Sequence, residues 1–338
     1  MKRLLSAAIA ASTAAGWAWA EDGAHHSWLA PLKDIRLIED RDDIHLSFGG
    51  KLRERVNVFR NDRFGLTAAE DDGYILLHRL FLNADLRMGQ HVRAFVELGN
   101  HLTTSNDYNP GPFDEDSADF HQAFLDFMYD DTRLRLGRQE MPLNSARLMG
   151  TRDGPNVRLA YDGVRLDTTI GNVDLRLFAF NPVNVDEDAF NNRNNDDEAL
   201  WGINTSYDFG ASNANFYYIG LDRNDSRFNQ STADETRHSI GTRFFGTQGR
   251  WDWNTELVYQ FGDFGSADIR AWTIASDTGY TFEDAAGSPR ISMSANIASG
   301  DDDPNDNDLN TFNPLQPNLA YFEEAAVLAP QNFYNIEP

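Results

Sequence analysis

The chain has 338 residues, with 53 Asp and Glu against 29 Lys and Arg, a formal net charge of -24 and no cysteine. The missing cysteines exclude a disulfide framework and a thiolate metal site, and no run of about 18 apolar residues follows the leader, which excludes helical membrane spans. Aromatic residues make up 12% of the chain and recur at alternate positions, so low average hydropathy is a poor guide here.

The first residues, MKRLLSAAIAASTAAGWAWA, put Lys2 and Arg3 before a short apolar run that ends on Ala18-Trp19-Ala20. That is the pattern of a signal peptide, residues 1–20, cleaved after Ala20. Residues 21–44 are expected as a periplasmic N-terminal segment and residues 45–338 as a transmembrane β-barrel domain, incomplete at its C-terminus. A first strand is predicted at 45–59, with Lys51, Arg53 and Arg55 on one face and Leu52, Val56 and Val58 on the other. In GYILLHRLFLNADLRM (73–88), Tyr74, Leu76, Leu80, Leu82, Leu86 and Met88 share one face, while Arg79, Asn83, Asp85 and Arg87 share the other. After Gly89-Gln90 the chain resumes as HVRAFVELGNH, with Arg93 and Glu97 opposite Val92, Val96 and Leu98, which reads as a tight hairpin.

The same alternation continues in FHQAFLDFMY (120–129) and TRLRLG (132–137), then at 160–169, 172–180, 198–207, 212–221, 237–245, 251–261, 269–280 and 290–299. That makes thirteen strands, most of them near the ten or so residues a tilted membrane-spanning strand needs. No stretch sustains a helical period. Connections alternate in length: those near 89–90, 130–131, 170–171, 208–211, 246–250 and 281–289 are short. Those at 60–72, 100–119, 139–159, 181–197, 222–236 and from 300 onward are long and polar, with the short 262–268 as the exception. Short turns at one end and long loops at the other describe an outer-membrane barrel. A soluble β-sandwich or jelly roll also alternates, but gives no reason for the loop lengths to do so.

Charge sorts by location. Acid clusters such as Glu70-Asp71-Asp72, Asp114-Glu115-Asp116 and Asp301-Asp302-Asp303 fall in the long loops and read as solvated tips. DDDPNDNDL (301–309) begins like an EF-hand loop but lacks its glycine, and Phe312 stands where the bidentate Glu belongs. Cations gather on the strand face opposite the apolar one: Arg53, Arg55, Arg79, Arg93, Arg133, Arg135, Arg165 and Arg176. In a barrel that face is the lumen. Glu97, Asp126, Asp162 and Asp174 are candidates to brace some of these arginines. The stretch 133–158 holds six arginines against two acids, and that local excess suggests a path for anions, since the Arg fork fits carboxylate and phosphate.

The stretch GRQEMPLNSARLMGTRDGPNVRLAYDGVRL (137–166) resembles the signature of the alginate export family of outer-membrane β-barrels. APLKDIRL (30–37), LSFGGKLRERV (46–56), HQAFLD (121–126) and ASGD with TFNPLQP (298–301, 311–317) extend the resemblance over nearly all of the chain after the leader. It implies an antiparallel, eighteen-stranded barrel with an arginine-rich lumen that exports an anionic polysaccharide. It also implies that Arg138, Arg152, Arg158 and Arg165 line or border the constriction, that Asp153 and Asp162 hold them, and that Gly154-Pro155 turns the loop inward. Set against that type, thirteen strands and the ending YNIEP predict a truncated chain, with 314–338 as the loop before a fourteenth strand.

The chain carries no G-x-S-x-G and no H-E-x-x-H, so an enzyme is not expected. Neither are a cofactor, a metal site or a nucleic-acid partner. The expected partners are an anionic polysaccharide or small anionic solute, outer-membrane lipid, and periplasmic export components. The leading alternative is a general porin for uptake of small anionic solutes, since an arginine lining serves either direction. A soluble glycan-binding barrel is a third reading.

Overall fold

Every strand predicted from alternation is present in the computed structural model, which describes residues 32–60, 73–106, 110–318 and 332–337. The leader, part of the 21–44 segment and the cluster Glu70-Asp71-Asp72 lie outside the described residues. The strands are β1 (Ile35–Ile38), β2 (Arg41–Phe59), β3 (Gly73–Met88), β4 (Val92–Asn106), β5 (Asp116–Tyr129), β6 (Thr132–Gln139), β7 (Tyr161–Ile170) and β8 (Val173–Asn184), followed by the short β9 (Arg193–Asn194). Then come β10 (Glu198–Asp208), β11 (Ser212–Arg227), β12 (Thr232–Gln248), β13 (Trp251–Phe264), β14 (Ala267–Thr281), β15 (Arg290–Ala298), β16 (Asp308–Leu309) and β17 (Phe333–Glu337). All 17 join one sheet. Its long strands pair antiparallel with their sequence neighbours, β10 following β8 and β17 following β15; only the short β16 runs parallel to its partner β14.

The register converts the sequence pattern into two unlike faces. On β3, Ile75, Leu77 and Arg79 are each 1% exposed, whereas Leu82 is 54% exposed and, next door on β2, Val58 is 68% exposed. An outward apolar face of this kind is stable in lipid, where the backbone must also be fully paired within the sheet. Near the short turns the outer face carries aromatics, including the pairs Trp251 with Tyr280 and Tyr207 with Phe209, as expected of residues that sit at a membrane boundary. Gly89 and Gly171 supply the positive φ, +63° and +62°, that these tight turns require.

Three expectations change. The connection at 222–236 is mostly strand, because β11 runs to Arg227 and β12 starts at Thr232. Here both faces are polar, so the apolar alternation fades while the ladder continues. The segment 314–338 already contains β17, which pairs with β15 from Ala298↔Phe333 to Ser294↔Glu337. Finally, a register shift between Glu97 and Leu98 inserts an extra residue at His121, so that Asp119 and His121 face inward although Gln122 and Phe124 do too.

The core lies inside the curve of the sheet rather than between layers. Met141, Leu143, Leu148, Met149 and Leu159 of the β6–β7 connection, with Phe312 and Leu315 of the segment after β15, pack against Phe178, Phe180, Leu200, Ile219, Leu221 and Val258 of the wall. Two inward-folded segments therefore fill part of the lumen.

Candidate functional site

The first inward segment, residues 140–160, is tied to the wall through the motif Arg152-Asp153-Gly154-Pro155-Asn156. Arg79 donates from Nε to the Asn156 carbonyl at 2.7 Å, from Nη1 to Asp153 Oδ1 at 2.7 Å and from Nη2 to the Pro155 carbonyl at 2.6 Å. Arg53 adds a bond to the Asp153 carbonyl at 2.7 Å. Asn156, fully buried, donates from its amide to the carbonyls of His78, Asp114 and Leu102. Arg158 pairs with Glu140 at 3.0 Å and lies 3.5 Å from Asp153, while Glu140 also meets His121 at 2.7 Å. Burial opposes ionisation of Asp153, but the hydrogen bond from Arg79 and the charges of Arg79, Arg158 and Arg53 outweigh it and hold the carboxyl below its ordinary range. Glu140 is held low in the same way, against burial, by His121 and Arg158.

The tip of this segment reaches β10 and β13. Asn144 donates to Asn204 Oδ1 at 2.9 Å, and Glu256 of β13 accepts from Ser145, from Arg147 at 3.0 Å and from Tyr217 at 2.6 Å. The second inward segment, 310–318, lies beside it. Gln316 donates its backbone N–H to the Leu148 carbonyl at 2.9 Å and accepts from Gly150 at 2.8 Å. This segment is held in turn by a buried polar network: Asn313 bonds Gln260 and Glu235, Glu235 pairs with Arg237 at 2.5 Å, and Gln316 reaches Glu198, which also takes both ends of Arg223.

Toward the short turns, the inner face of β3–β8 carries arginines in excess of acids. Arg135 clasps Asp126 at 2.6 and 2.8 Å with its guanidinium stacked 3.5 Å from the Phe124 ring centre. Arg93 bonds Asp85 at 2.7 Å and lies 3.5 Å from Asp126. Asp167 receives three arginines: Arg133 at 2.8 Å, Arg165 at 2.9 Å and Arg176 at 2.6 Å. A cavity of about 590 Å³ opens here, lined by Arg133, Asp167 and Arg176, by Asn204 and Ser206 of the neighbouring β10, and by Asn144 of the tip.

The predicted residues thus fall into several groups. Arg93, Arg135, Arg165 and Arg176, with Asp126, gather near the turns. Arg53, Arg79 and Arg158, with Asp153, anchor the inward segment. Arg55 and Arg152 have no ion pair among the described residues; each keeps a buried Nε without an acceptor, and Arg152 lies over the Phe113 ring at 5.4 Å. Burial holds the Arg152 guanidinium below its ordinary pKa. Asp153 contacts neither Arg138 nor Arg165.

Arg138 differs most from expectation. It clasps Asp162 at 2.9 Å through both Nε and Nη2. Strand alternation places both on the face of Leu134, Leu136 and Val164, opposite Arg133, Arg135 and Arg165. There Arg138 also donates to the Phe120 and Asn192 carbonyls, bracing the 185–192 connection against the edge of β5 that β6 leaves when it turns inward. Glu97 accepts from Gln122 and Asn83 instead of from an arginine.

Sequence reasoning missed Asp85, Asp167, Glu140, His121, Glu198 and Glu256. Asp85 and Asp167 share the face of their neighbouring arginines, so parity could have found them. Nothing local in the sequence links Glu256 to Ser145 or Glu198 to Gln316.

A family model described as Alginate export matches residues 44–338. No functionally curated protein matches the chain in sequence. Among solved structures, the chain is similar to Pseudomonas aeruginosa OccK2 (OpdF) in complex with glucuronate, at 12% identity and a TM-score of 0.51 over 77% of this chain and 66% of that one. It is also similar to OccK11 (OpdR) of the same species, at 12% identity and a TM-score of 0.51 over 84% and 70%, and to OccK8 (OprE), at 13% and 0.50 over 76% and 68%. The chain spans about two thirds of the length of these proteins, and at such identity the likeness shows the fold. The barrel is one of the bacterial outer membrane, and such families and neighbours are channels rather than enzymes.

Proposed function

The chain belongs to the alginate export family, and on that premise we propose that it forms a channel whose inner arginines let an anionic polysaccharide, or smaller anionic solutes, pass. The observation that carries this reading is the group around Asp167, where three guanidinium groups share one carboxylate beside an open cavity. Arg133 and Arg176 are 37% and 30% exposed there, so each has donors left for a passing anion. In a wet lumen such a contact is worth about 0–1 kcal/mol, and several in series attract a polyanion without trapping it. A single dry pair would hold too hard. In this reading the long loops face outward and the short turns face the periplasm.

Uptake of small anionic solutes is the second reading, favoured by the two inward segments that occupy the lumen above a cavity large enough for only a few sugar rings. The test is block of chloride current by uronate oligomers of increasing length, with the wild type and the double variant Arg133→Ala, Arg176→Ala. A block that strengthens with length in the wild type and falls several-fold in the variant supports the polysaccharide. Block by monomers alone favours small solutes, and block unchanged in the variant contradicts the role of these arginines.

A further inference from the structure

We propose that Glu256 is the latch of a movable stopper: it holds residues Asn144–Arg147 across the lumen above the cavity at the turn end, and its release opens the passage. This rests on the channel reading above, but on different residues. The two ends of the inward segment are held firmly. Arg79 and Asn156 fix residues 153–156 to the wall, and Leu143, Leu148 and Met149 are buried at 4%, 4% and 0% exposure in the inner core. Residues 144–147 between these anchors are attached differently. Three side-chain contacts join them to the strands: Asn144 with Asn204, and Ser145 and Arg147 with Glu256. Among the described residues, their one backbone bond beyond the segment runs from the Asn318 N–H to the Ala146 carbonyl at 3.0 Å.

The tip is also strained. Asn144 and Ala146 hold φ of +50° and +60°, a region that an alanine rarely occupies and that surrounding contacts must enforce. Glu256 is not abandoned when the tip leaves, because Tyr217 still donates to it and Arg243 of β12 stands directly across the ladder from it. Arg147, once free, is a guanidinium beside the path, and the carboxylate of a passing anion can take the place of Glu256 on it. Both states thus satisfy the buried carboxylate, which is what a two-state element requires. Asn144 roofs the cavity, so movement of this short stretch changes the narrowest point without disturbing the core.

The experiment uses single channels of the protein in planar bilayers. In Asn144→Cys, Asn204→Cys, which leaves Glu256 intact, Cd2+ should bridge the thiols, protect them from maleimide, and lower conductance several-fold until a chelator restores it. Glu256→Gln should raise the open fraction several-fold with heat-modifiable gel mobility intact. Thiols that stay reactive in Cd2+ would show that the tip does not rest on β10, and protected thiols with unchanged conductance would show that it does not gate; either result overturns the latch. A pore that prefers cations would instead refute the role of the arginines, while the Cd2+ response would still decide the latch.

Discussion

Replacing Arg79 by Met should loosen the 152–158 segment while leaving the barrel assembled. The methionine keeps an apolar stem against Phe81, over whose ring the guanidinium now lies at 5.8 Å. What disappears is the donor set for the Asn156 and Pro155 carbonyls and for Asp153. Asp153 is 56% exposed, so water replaces most of its share, and Arg53 still reaches Pro155 at 3.2 Å. The Asn156 carbonyl is left without its charged donor in a buried position, at about 1–3 kcal/mol, with about 1 kcal/mol more from the weakened Pro155 contact. The sum, about 2–4 kcal/mol, corresponds to roughly 30- to 700-fold faster local opening. Hydrogen exchange at the Val157 amide, which donates to the Phe113 carbonyl at 2.7 Å, reads that opening directly. Exchange within a factor of about two of wild type, in a variant whose gel mobility shows a folded barrel, would mean that Arg79 does not anchor the motif.

Acid should release the same segment. Asp153 and Glu140 are held below the ordinary carboxylate range, so their contribution is complete at neutral pH and is lost only as pH falls through their lowered values, below about 4; loosening already between about pH 7 and 5 would contradict this. Gly137→Ala should lower the temperature of barrel unfolding by the equivalent of about 2 kcal/mol or more, because at φ +121° the new Cβ would meet the Ala123 carbonyl oxygen at 2.3 Å; an unchanged transition would refute the tight β5–β6 contact. Cysteine at Asn106 or at the exposed Asp188 should label in intact cells with an impermeant reagent, and cysteine at Gly89 or Gly171 should not. Asp188 is exposed at the surface of its loop, and the reverse labelling pattern would invert the barrel.

The strands were legible because a half-buried strand writes its two faces into alternate residues, as Leu80, Leu82 and Leu86 opposite Arg79, Asn83 and Arg87 do on β3. The signal failed where both faces are polar, at the far ends of β11 and β12. Arg138 shows a different failure. Its even number, against Arg133 and Arg135, already put it on the outer face of β6, yet its place in a recognisable motif suggested the lumen. The partners of Arg79 lie more than seventy positions away, and Ser145 and Arg147 lie more than a hundred from Glu256. No periodicity joins such positions, since their meeting depends on how the two inward segments fold against the wall.

In the proposed function, inner arginines, rather than the acid-rich loops, set what passes. A chain with net charge -24 would make a cation-selective pore if its loop carboxylates dominated, but charges at the narrow, low-dielectric part focus the field, while loop tips are screened beyond about 8 Å at physiological salt. The direct measurement is the zero-current potential of the wild-type channel across a gradient of potassium chloride. A sign showing chloride permeating in preference to potassium is the predicted result, and a preference for potassium would mean that the inner arginines do not set selectivity.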